Sequence, residues 1–288
     1  MTSALDNYTP PAWLEPYRRG EREGYAQSML AYAAYHGTDG SADMDNEIEE
    51  RLPFHPSPLI SYASRTGTKR NLEAMRQAGW HLLVSAKGAL RTEGMKYALD
   101  NGAWSAFTQG EKFDEYAFCK AVDLLGEKAE FVVAPDIVEG GLRSLEFSLR
   151  WLERLQEMRF PTKILLAVQN GLTPDDVREY LSPVVGIFVG GCTEWKLATL
   201  NAWGALARRR NCHLHVGRVN SEKRIALCAA AGANSIDGTS ATRFAKTLPR
   251  LAAAVDHTRD QADFFCPSNE RLESTSFDCN WPAFVPNA

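Results

Sequence analysis

The sequence predicts one α/β domain, a (β/α)8 barrel that begins at Leu59, and three observations lead to this fold class. Short β-branched segments alternate with amphipathic helical segments, which is typical of βα units joined into a parallel sheet. Eight strand segments of this kind occur, the number that closes a barrel. An open doubly wound sheet is the alternative, but the chain has no obvious GxGxxG phosphate loop.

The strand candidates are short apolar runs, most of which end at a small or polar residue. In chain order they are Leu59 to Ser64, His81 to Ser85, Tyr97 to Asn101, Phe131 to Pro135, Ile164 to Gln169, Val185 to Gly190, His213 to Gly217 and Asn234 to Asp237.

The segments between these strands carry apolar residues at helical spacing. The clearest helices are Asp114 to Leu125, Leu142 to Met158, Thr193 to Arg210 and Ser221 to Ala231. Hydroxyl side chains accept hydrogen bonds from the first free N–H groups of a helix, so we expect N-caps at Thr173, Thr193 and Ser221.

Two regions are expected to flank the barrel, which would occupy residues 59–255. Residues 1–58 form an N-terminal extension with an acidic stretch, which is most simply a solvated surface. Residues 256–288 form a tail rich in Pro, Ser and Asn, for which an irregular structure is predicted.

Composition limits the partners that the chain can have. The net charge is −4, so no global basic field attracts nucleic acid, and such a partner would need a local basic patch. The 6 cysteines are scattered singly, which predicts reduced thiols. No run of apolar residues is long enough for a membrane span, and a cytoplasmic protein without a membrane partner is expected.

Polar side chains close several otherwise apolar strands. Asp100, Asp136, Gln169 and Asp237 follow or end the third, fourth, fifth and eighth strands. In a (β/α)8 barrel these ends form the catalytic mouth, so we expect the four side chains to line one cavity. An Asp after a strand can also simply cap the next helix, but that explanation fits one residue better than it fits all four.

These strand ends carry a family resemblance. The segment HLHVGRVNSEKRIALCAAAGANSIDGTSATR, from His213 to Arg243, resembles the end of tRNA-guanine transglycosylases, with Asp237 and Arg243 at the family spacing. Four shorter segments resemble other motifs of that family in the same order, namely LDNGAW (99–104), APDIV (134–138), AVQNG (167–171) and FVGG (188–191). The resemblance covers roughly Leu59 to Leu251.

The chain departs from the family pattern at two points. The cysteine and histidine motif that holds a structural zinc in the family is absent, since Cys266 and Cys279 stand alone, so no metal and no cofactor is expected. Ser105 replaces a glutamine that contacts the base. A short chain without the zinc insert most resembles phage-type 7-deazaguanine DNA transglycosylases, which implies guanine in DNA as substrate, with tRNA as the alternative.

The resemblance implies a role for each residue of the rim. Asp237 would be the nucleophile at the sugar C1′, and Asp100 the general acid and base. A guanine edge needs a carboxylate, an amide and backbone donors, and an aromatic face for stacking. The expected substrate-binding set is Asp136, Gln169, Gly190, Gly191, Trp104, Asn101 and Gly217.

A base inside a duplex cannot enter such a pocket, so the DNA would be single-stranded or its base flipped. Basic residues after the strands would then hold the backbone, unless they pair with nearby carboxylates. The expected nucleic-acid-binding residues are Arg243, Arg65, Lys69, Arg70, Lys87 and Arg218.

Two other functions remain open at this point. A phosphate-binding isomerase or lyase could use Gly190, Gly191 and Gly238 to hold a phosphate. A barrel without activity could serve as a nucleic-acid-binding subunit, although the presence of both Asp100 and Asp237 argues against it.

Overall fold

The structure is a computed structural model that describes residues 58–64, 68–157, 160–243 and 246–265. Its strands are β1 (Ile60–Ser64), β2 (His81–Ser85), β3 (Tyr97–Asp100), β4 (Phe131–Val133), β5 (Lys163–Val168), β6 (Val185–Val189), β7 (Leu214–Val216) and β8 (Ser235–Gly238). All neighbouring pairs are parallel, in the order β1 to β8. Because β1 also pairs with β8, the sheet closes and the (β/α)8 prediction is confirmed over the open sheet.

Helices connect the strands and surround the barrel. They are α1 (Lys69–Gln77), α2 (Ala103–Thr108), α3 (Glu115–Leu125), α4 (Leu142–Glu157), α5 (Pro174–Val177), α6 (Thr193–Arg209), α7 (Glu222–Ala230), α8 (Ser240–Arg243) and α9 (Leu248–Phe265), with short 3-10 turns at Gly126–Lys128 and Arg178–Tyr180.

Two of the three expected N-caps are confirmed. Ser221 accepts a hydrogen bond from the N–H of Arg224, and Thr173 forms a capping box with Asp176. The third prediction is wrong, because Thr193 is the first residue of α6 and Cys192 is its N-cap. The side chain of Asn170 accepts the N–H of Cys192 at 2.8 Å, which helps to hold Cys192 in the extended conformation of a cap.

The C-terminal boundary differs from the prediction of an irregular tail after Val255. Helix α9 continues to Phe265, ten residues further. Leu248, Leu251 and Val255 are buried at helical spacing, and the alanines between them favour a helix. The N-terminal extension up to residue 57 and the tail beyond residue 265 lie outside the described residues.

Two layers of apolar side chains make up the core. The larger layer lies between the barrel and the helices, as expected for a fold with helices packed on a sheet. The smaller one fills the inside of the barrel and consists of Tyr62, Ala98, Phe131, Val133, Leu165 and Ala167.

Alternation along the strands connects this inner core with the mouth. Side chains two residues apart lie on the same face of a strand, so Asp100 follows the inward-facing Ala98. Asp237 is two residues after Ser235, and both are buried. The same alternation therefore places both carboxylates at the upper end of the barrel interior.

Candidate active site

The four polar residues predicted at the strand ends lie on one rim. Asp100 and Asp237 belong to β3 and β8, and Gln169 and Asp136 follow β5 and β4. Burial raises the pKa of Asp100 to about 7, and the negative charges of Asp237 and Asp136 contribute to the increase. Asp100 is thus close enough to both of the other carboxylates to be repelled by them.

Asp100 has a structural contact and an unusual protonation equilibrium at the same time. Its Oδ2 accepts the N–H of Gly102 at 3.1 Å, which is the turn contact expected for an Asp-Asn-Gly sequence. Gly102 has φ +81° and packs so closely on Lys87 that a Cβ would lie 3.1 Å from its backbone nitrogen. The turn therefore fixes the carboxyl group of Asp100, while burial keeps its pKa near 7, where it can exchange a proton at neutral pH.

Asn101 holds Asp136 in place. Its Nδ2 donates to the carbonyl of Ala134 and to Oδ1 of Asp136, both at 2.8 Å, and its Oδ1 accepts the N–H of Ala103. Both amide hydrogens of Asn101 donate to the protein, so its side chain joins the ends of β3 and β4. Its role in binding substrate stays a prediction. Burial raises the pKa of Asp136 to about 6, although the hydrogen bond from Asn101 opposes this shift.

Gln169 also donates to the protein itself. Its Nε2 lies 2.7 Å from Oγ of Ser144, 2.9 Å from the carbonyl of Ile137 and 3.5 Å from Oδ2 of Asp136. This buried amide fixes the loop after β4 and helps to orient Asp136. Its role as a donor to a base stays a prediction.

Asp237 receives one contact on each carboxylate oxygen. The backbone N–H of Arg218 donates to Oδ1 at 3.2 Å, and Nε2 of His215 lies 3.0 Å from Oδ2. A Cβ on Gly217 would lie 3.2 Å from Oδ2 and 2.9 Å from the ring of Phe188. Gly217, which was expected to bind substrate, therefore makes room for the carboxylate and the ring beside it.

Sequence reasoning did not identify His215 and its neighbours His213 and Ser235. Oγ of Ser235 lies 2.8 Å from Nδ1 of His215 and 2.7 Å from Nε2 of His213. The signal was the alternation in His-Leu-His, which places both imidazoles on one face of β7, beside the Ser-Ile-Asp of β8.

Trp104 and Arg218 meet above the mouth. Trp104, which was expected to stack on the base, is 46% exposed and therefore is not part of the buried core. The guanidinium carbon of Arg218 lies 4.4 Å from the centre of its ring, and Nη2 of Arg218 donates to the carbonyl of Gly191. The backbone N–H of Gly190 donates to the carbonyl of Val168 between two barrel strands, so it is not directed at a ligand.

The other basic residues differ in their surroundings. Lys69 and Arg70 are exposed in the first turn of α1, and Arg243 is exposed at the end of α8. Lys87 forms an ion pair with Glu111, which reduces its capacity to hold a phosphate. Arg65 lies outside the described residues.

Buried Lys196 was also not anticipated from the sequence. It extends from α6, and its Nζ donates to the carbonyl of Gly217 directly beside Asp237. Burial lowers the pKa of Lys196 to about 8, and the positive charge of Arg218 adds to this effect. The ammonium group fixes the turn after β7 that carries the N–H donor to Asp237.

Within the described residues, no cluster of His, Cys, Asp or Glu is arranged to hold a metal ion, and Cys266 and Cys279 lie outside them. None of the helices in that part of the chain is both long and apolar enough to cross a membrane.

Comparison with protein-family models and with curated proteins gives no match.

Proposed function

We propose that this protein is a base-exchange transglycosylase that replaces guanine in a nucleic acid, preferably DNA, with a 7-deazaguanine. The observation that carries the proposal is the pair of carboxylates at the mouth of the barrel. Burial gives Asp100 a pKa of about 7, whereas Asp237 is held in one orientation by a contact on each of its carboxylate oxygens. Two carboxyl groups with different environments support one acid and base and one nucleophile.

The first half of the exchange would be a displacement at C1′. A carboxylate oxygen of Asp237 forms a bond to C1′ while the bond from C1′ to N9 of guanine breaks. The electron pair of that bond leaves with the guanine, and Asp100 donates its proton to the departing base. The sugar is then joined to Asp237 as an ester, with inverted configuration.

The second half reverses these steps with the new base. Asp100, now a carboxylate, removes the N9 proton of the incoming 7-deazaguanine, and N9 forms a bond to C1′. The ester bond to Asp237 breaks and its electron pair restores the carboxylate, so two inversions give overall retention. No other reactant is required.

Recognition of the base is best supported at Asp136 and Trp104. The carboxylate of Asp136 can accept hydrogen bonds from N1–H and the amino group of a guanine edge, and Asn101 and Gln169 orient it. The exposed ring of Trp104 offers a stacking face beside the mouth. Of the basic residues predicted to hold the nucleic-acid backbone, Lys69, Arg70 and Arg243 are exposed and can contact phosphates.

A phosphate-binding isomerase or lyase is less well supported. That function relied on backbone donors at Gly190, Gly191 and Gly238, and the N–H of Gly190 is bonded to Val168. Three carboxylates at the same mouth would also repel a phosphate, which makes a neutral base the better ligand.

The decisive experiment measures incorporation of a labelled base. The protein is incubated with radiolabelled guanine or 7-cyano-7-deazaguanine and with DNA and tRNA in separate reactions. We expect label in DNA, and no label with Asp237→Asn. The exposed Asp123 on α3 provides the matched control, since Asp123→Asn makes the same chemical change and should keep full activity. Label found only in tRNA would show that the substrate is RNA and not DNA. Label in neither polymer would refute the proposed function.

A further inference from the structure

A row of polar side chains runs beneath Asp237, beside the apolar side chains that fill the inside of the barrel. It passes from Oδ2 of Asp237 to His215, from His215 to Oγ of Ser235, and from Ser235 to His213, with separations of 3.0, 2.8 and 2.7 Å. His215 and Ser235 have no exposed surface. Burying polar groups costs free energy, so a connected row of buried polar side chains indicates a functional role in addition to core packing.

The positions of the hydrogen atoms in this row determine whether His215 donates a hydrogen bond to Asp237. The hydroxyl of Ser235 has one hydrogen and can donate it to only one of the two imidazoles. If Asp237 is ionised, its Oδ2 can only accept, so Nε2 of His215 must carry a hydrogen. Burial lowers the pKa of His213 to about 3, which keeps that ring neutral.

Two arrangements satisfy these conditions. In one, His215 is neutral, and its Nδ1 accepts from Ser235, which in turn accepts from Nε2 of His213. In the other, His215 is charged and donates to Ser235, which donates to His213. Nε2–H of His215 points at Asp237 in both arrangements, so the conclusion does not depend on the charge of His215.

Aromatic packing fixes the plane of the His215 ring. Phe188 stacks on it, with ring centres 4.9 Å apart and planes 19° from parallel. Phe131 and Tyr62 pack against it with centres at 5.0 and 5.8 Å. A ring enclosed in this way cannot turn to follow its partner, so the direction of its hydrogen bond is set by the core of the barrel.

We infer that His215 is a positioning residue for Asp237, and that Ser235 and His213 orient it from below. This role rests on the proposed function, in which Asp237 is the nucleophile. The hydrogen bond from Nε2 holds the carboxylate in one orientation at C1′. His215 has no exposed surface for a substrate to contact, so its loss should lower the rate of bond formation and leave substrate binding unchanged.

Two substitutions separate the hydrogen bond from the packing. His215→Phe keeps an aromatic ring against Phe188 and removes the donor, whereas His215→Gln loses the ring and retains an N–H donor near the position of Nε2. We expect His215→Phe to slow single-turnover formation of the glycosyl-Asp237 adduct about tenfold to a hundredfold, and His215→Gln to restore most of the rate. Affinity for guanine-containing DNA should be unchanged in both.

The opposite order, with His215→Phe faster than His215→Gln, would show that only packing matters and would overturn the inference. Ser235→Ala is a milder second variant that leaves the donor to Asp237 in place. It should lower the rate of adduct formation less than His215→Phe does. A rate equal to that of wild type would show that Ser235 and His213 do not orient His215. Thermal midpoints of all variants separate loss of fold from loss of rate.

An independent measurement does not require activity. Nitrogen-15 chemical shifts of labelled histidines in the wild-type protein report which ring nitrogens carry hydrogen, and His215→Gln assigns the signal. Hydrogen on Nε2 is expected, and a bare Nε2 would overturn the inference even if base exchange were demonstrated. If Nε2 carries hydrogen but wild-type protein transfers no base, the proposed function fails while the hydrogen bond stands, and the two failures are thereby distinguished.

Discussion

Arg218 covers one face of Trp104, with its guanidinium carbon 4.4 Å from the ring centre. The same guanidinium group donates to the carbonyl of Gly191, so one side chain joins the segments that follow β3, β6 and β7. A cation over an aromatic face is attractive, and it competes with a base for that face. A base that stacks on Trp104 must therefore use the other face or displace Arg218.

Trp104→Ala should weaken binding of the nucleic acid. Stacking of one base contributes ~1 to 3 kcal/mol, so we expect a rise in Kd of about fivefold to a hundredfold. Trp104→Phe keeps an aromatic face and should lose less affinity. Titration of fluorescently labelled single-stranded DNA measures both. Equal affinities for wild type and Trp104→Ala would exclude stacking on this ring.

Substitution of the two catalytic carboxylates should give different defects. Asp237→Asn removes the nucleophile and should abolish both exchange and the denaturant-resistant adduct with guanine-containing DNA. Asp100→Asn removes proton transfer and leaves the nucleophile, so exchange should fall by ~10² to 10⁴ fold. Mass spectrometry of the trapped adduct identifies the modified residue, and an adduct on Asp100 would reverse the two roles.

The two halves of the exchange should depend on pH in opposite directions. Asp100 must be protonated to release guanine and ionised to accept the proton of the incoming base, and its pKa is about 7. Single-turnover adduct formation should therefore fall as the pH rises above about 7, and release of the adduct should fall as the pH drops below it. Asp136 faces the same mouth with a pKa of about 6, so base binding should weaken below that pH.

The same raised pKa values make the site a source of instability. The folded protein binds protons at Asp100 and Asp136 more tightly than the unfolded chain does, so its free energy of unfolding decreases as the pH rises from about 4 to 7. Asp100→Asn removes this penalty and can still accept the N–H of Gly102. Its thermal midpoint should exceed that of wild type at pH 8 and approach it at pH 4. A difference of the same size at both values would exclude ionisation as the cause.

Much of this molecule follows from local patterns in the sequence. The eight strands and the helix starts at Leu142 and Glu222 lie within one or two residues of the prediction, because burial on both faces makes barrel strands continuously apolar. The rim carboxylates were also found, since polar residues at strand ends must meet at one mouth of a parallel barrel.

What the sequence did not reveal depends on partners in three dimensions. The amides of Asn101 and Gln169 could equally donate to a ligand or to the protein, and only the fold shows that the protein uses them. The contact of His215 with Ser235 requires the register between β7 and β8, which places these two residues opposite each other. A search limited to strand ends could not find residues inside the barrel.

Gly217 provides a direct test of how tightly the nucleophile is held. A methyl group at this position would press on the Phe188 ring at 2.9 Å and on Oδ2 of Asp237 at 3.2 Å. Neither neighbour can yield freely, since the ring is stacked on His215 and the carboxylate oxygen is bonded to it. Gly217→Ala should therefore displace the carboxylate and reduce the rate of adduct formation more than it reduces the affinity for DNA.

Gly190→Ala is the matched control, because its nearest new contact would be an ordinary 3.4 Å to the carbonyl of Val168. It also lies at the end of a barrel strand, so any general effect of filling this rim should appear in both variants. Rates from single-turnover trapping and thermal midpoints are compared for the pair. A rate loss confined to Gly217→Ala, with similar midpoints, is the expected result. Equal rate losses would mean that crowding of the mouth, and not displacement of Asp237, limits the reaction.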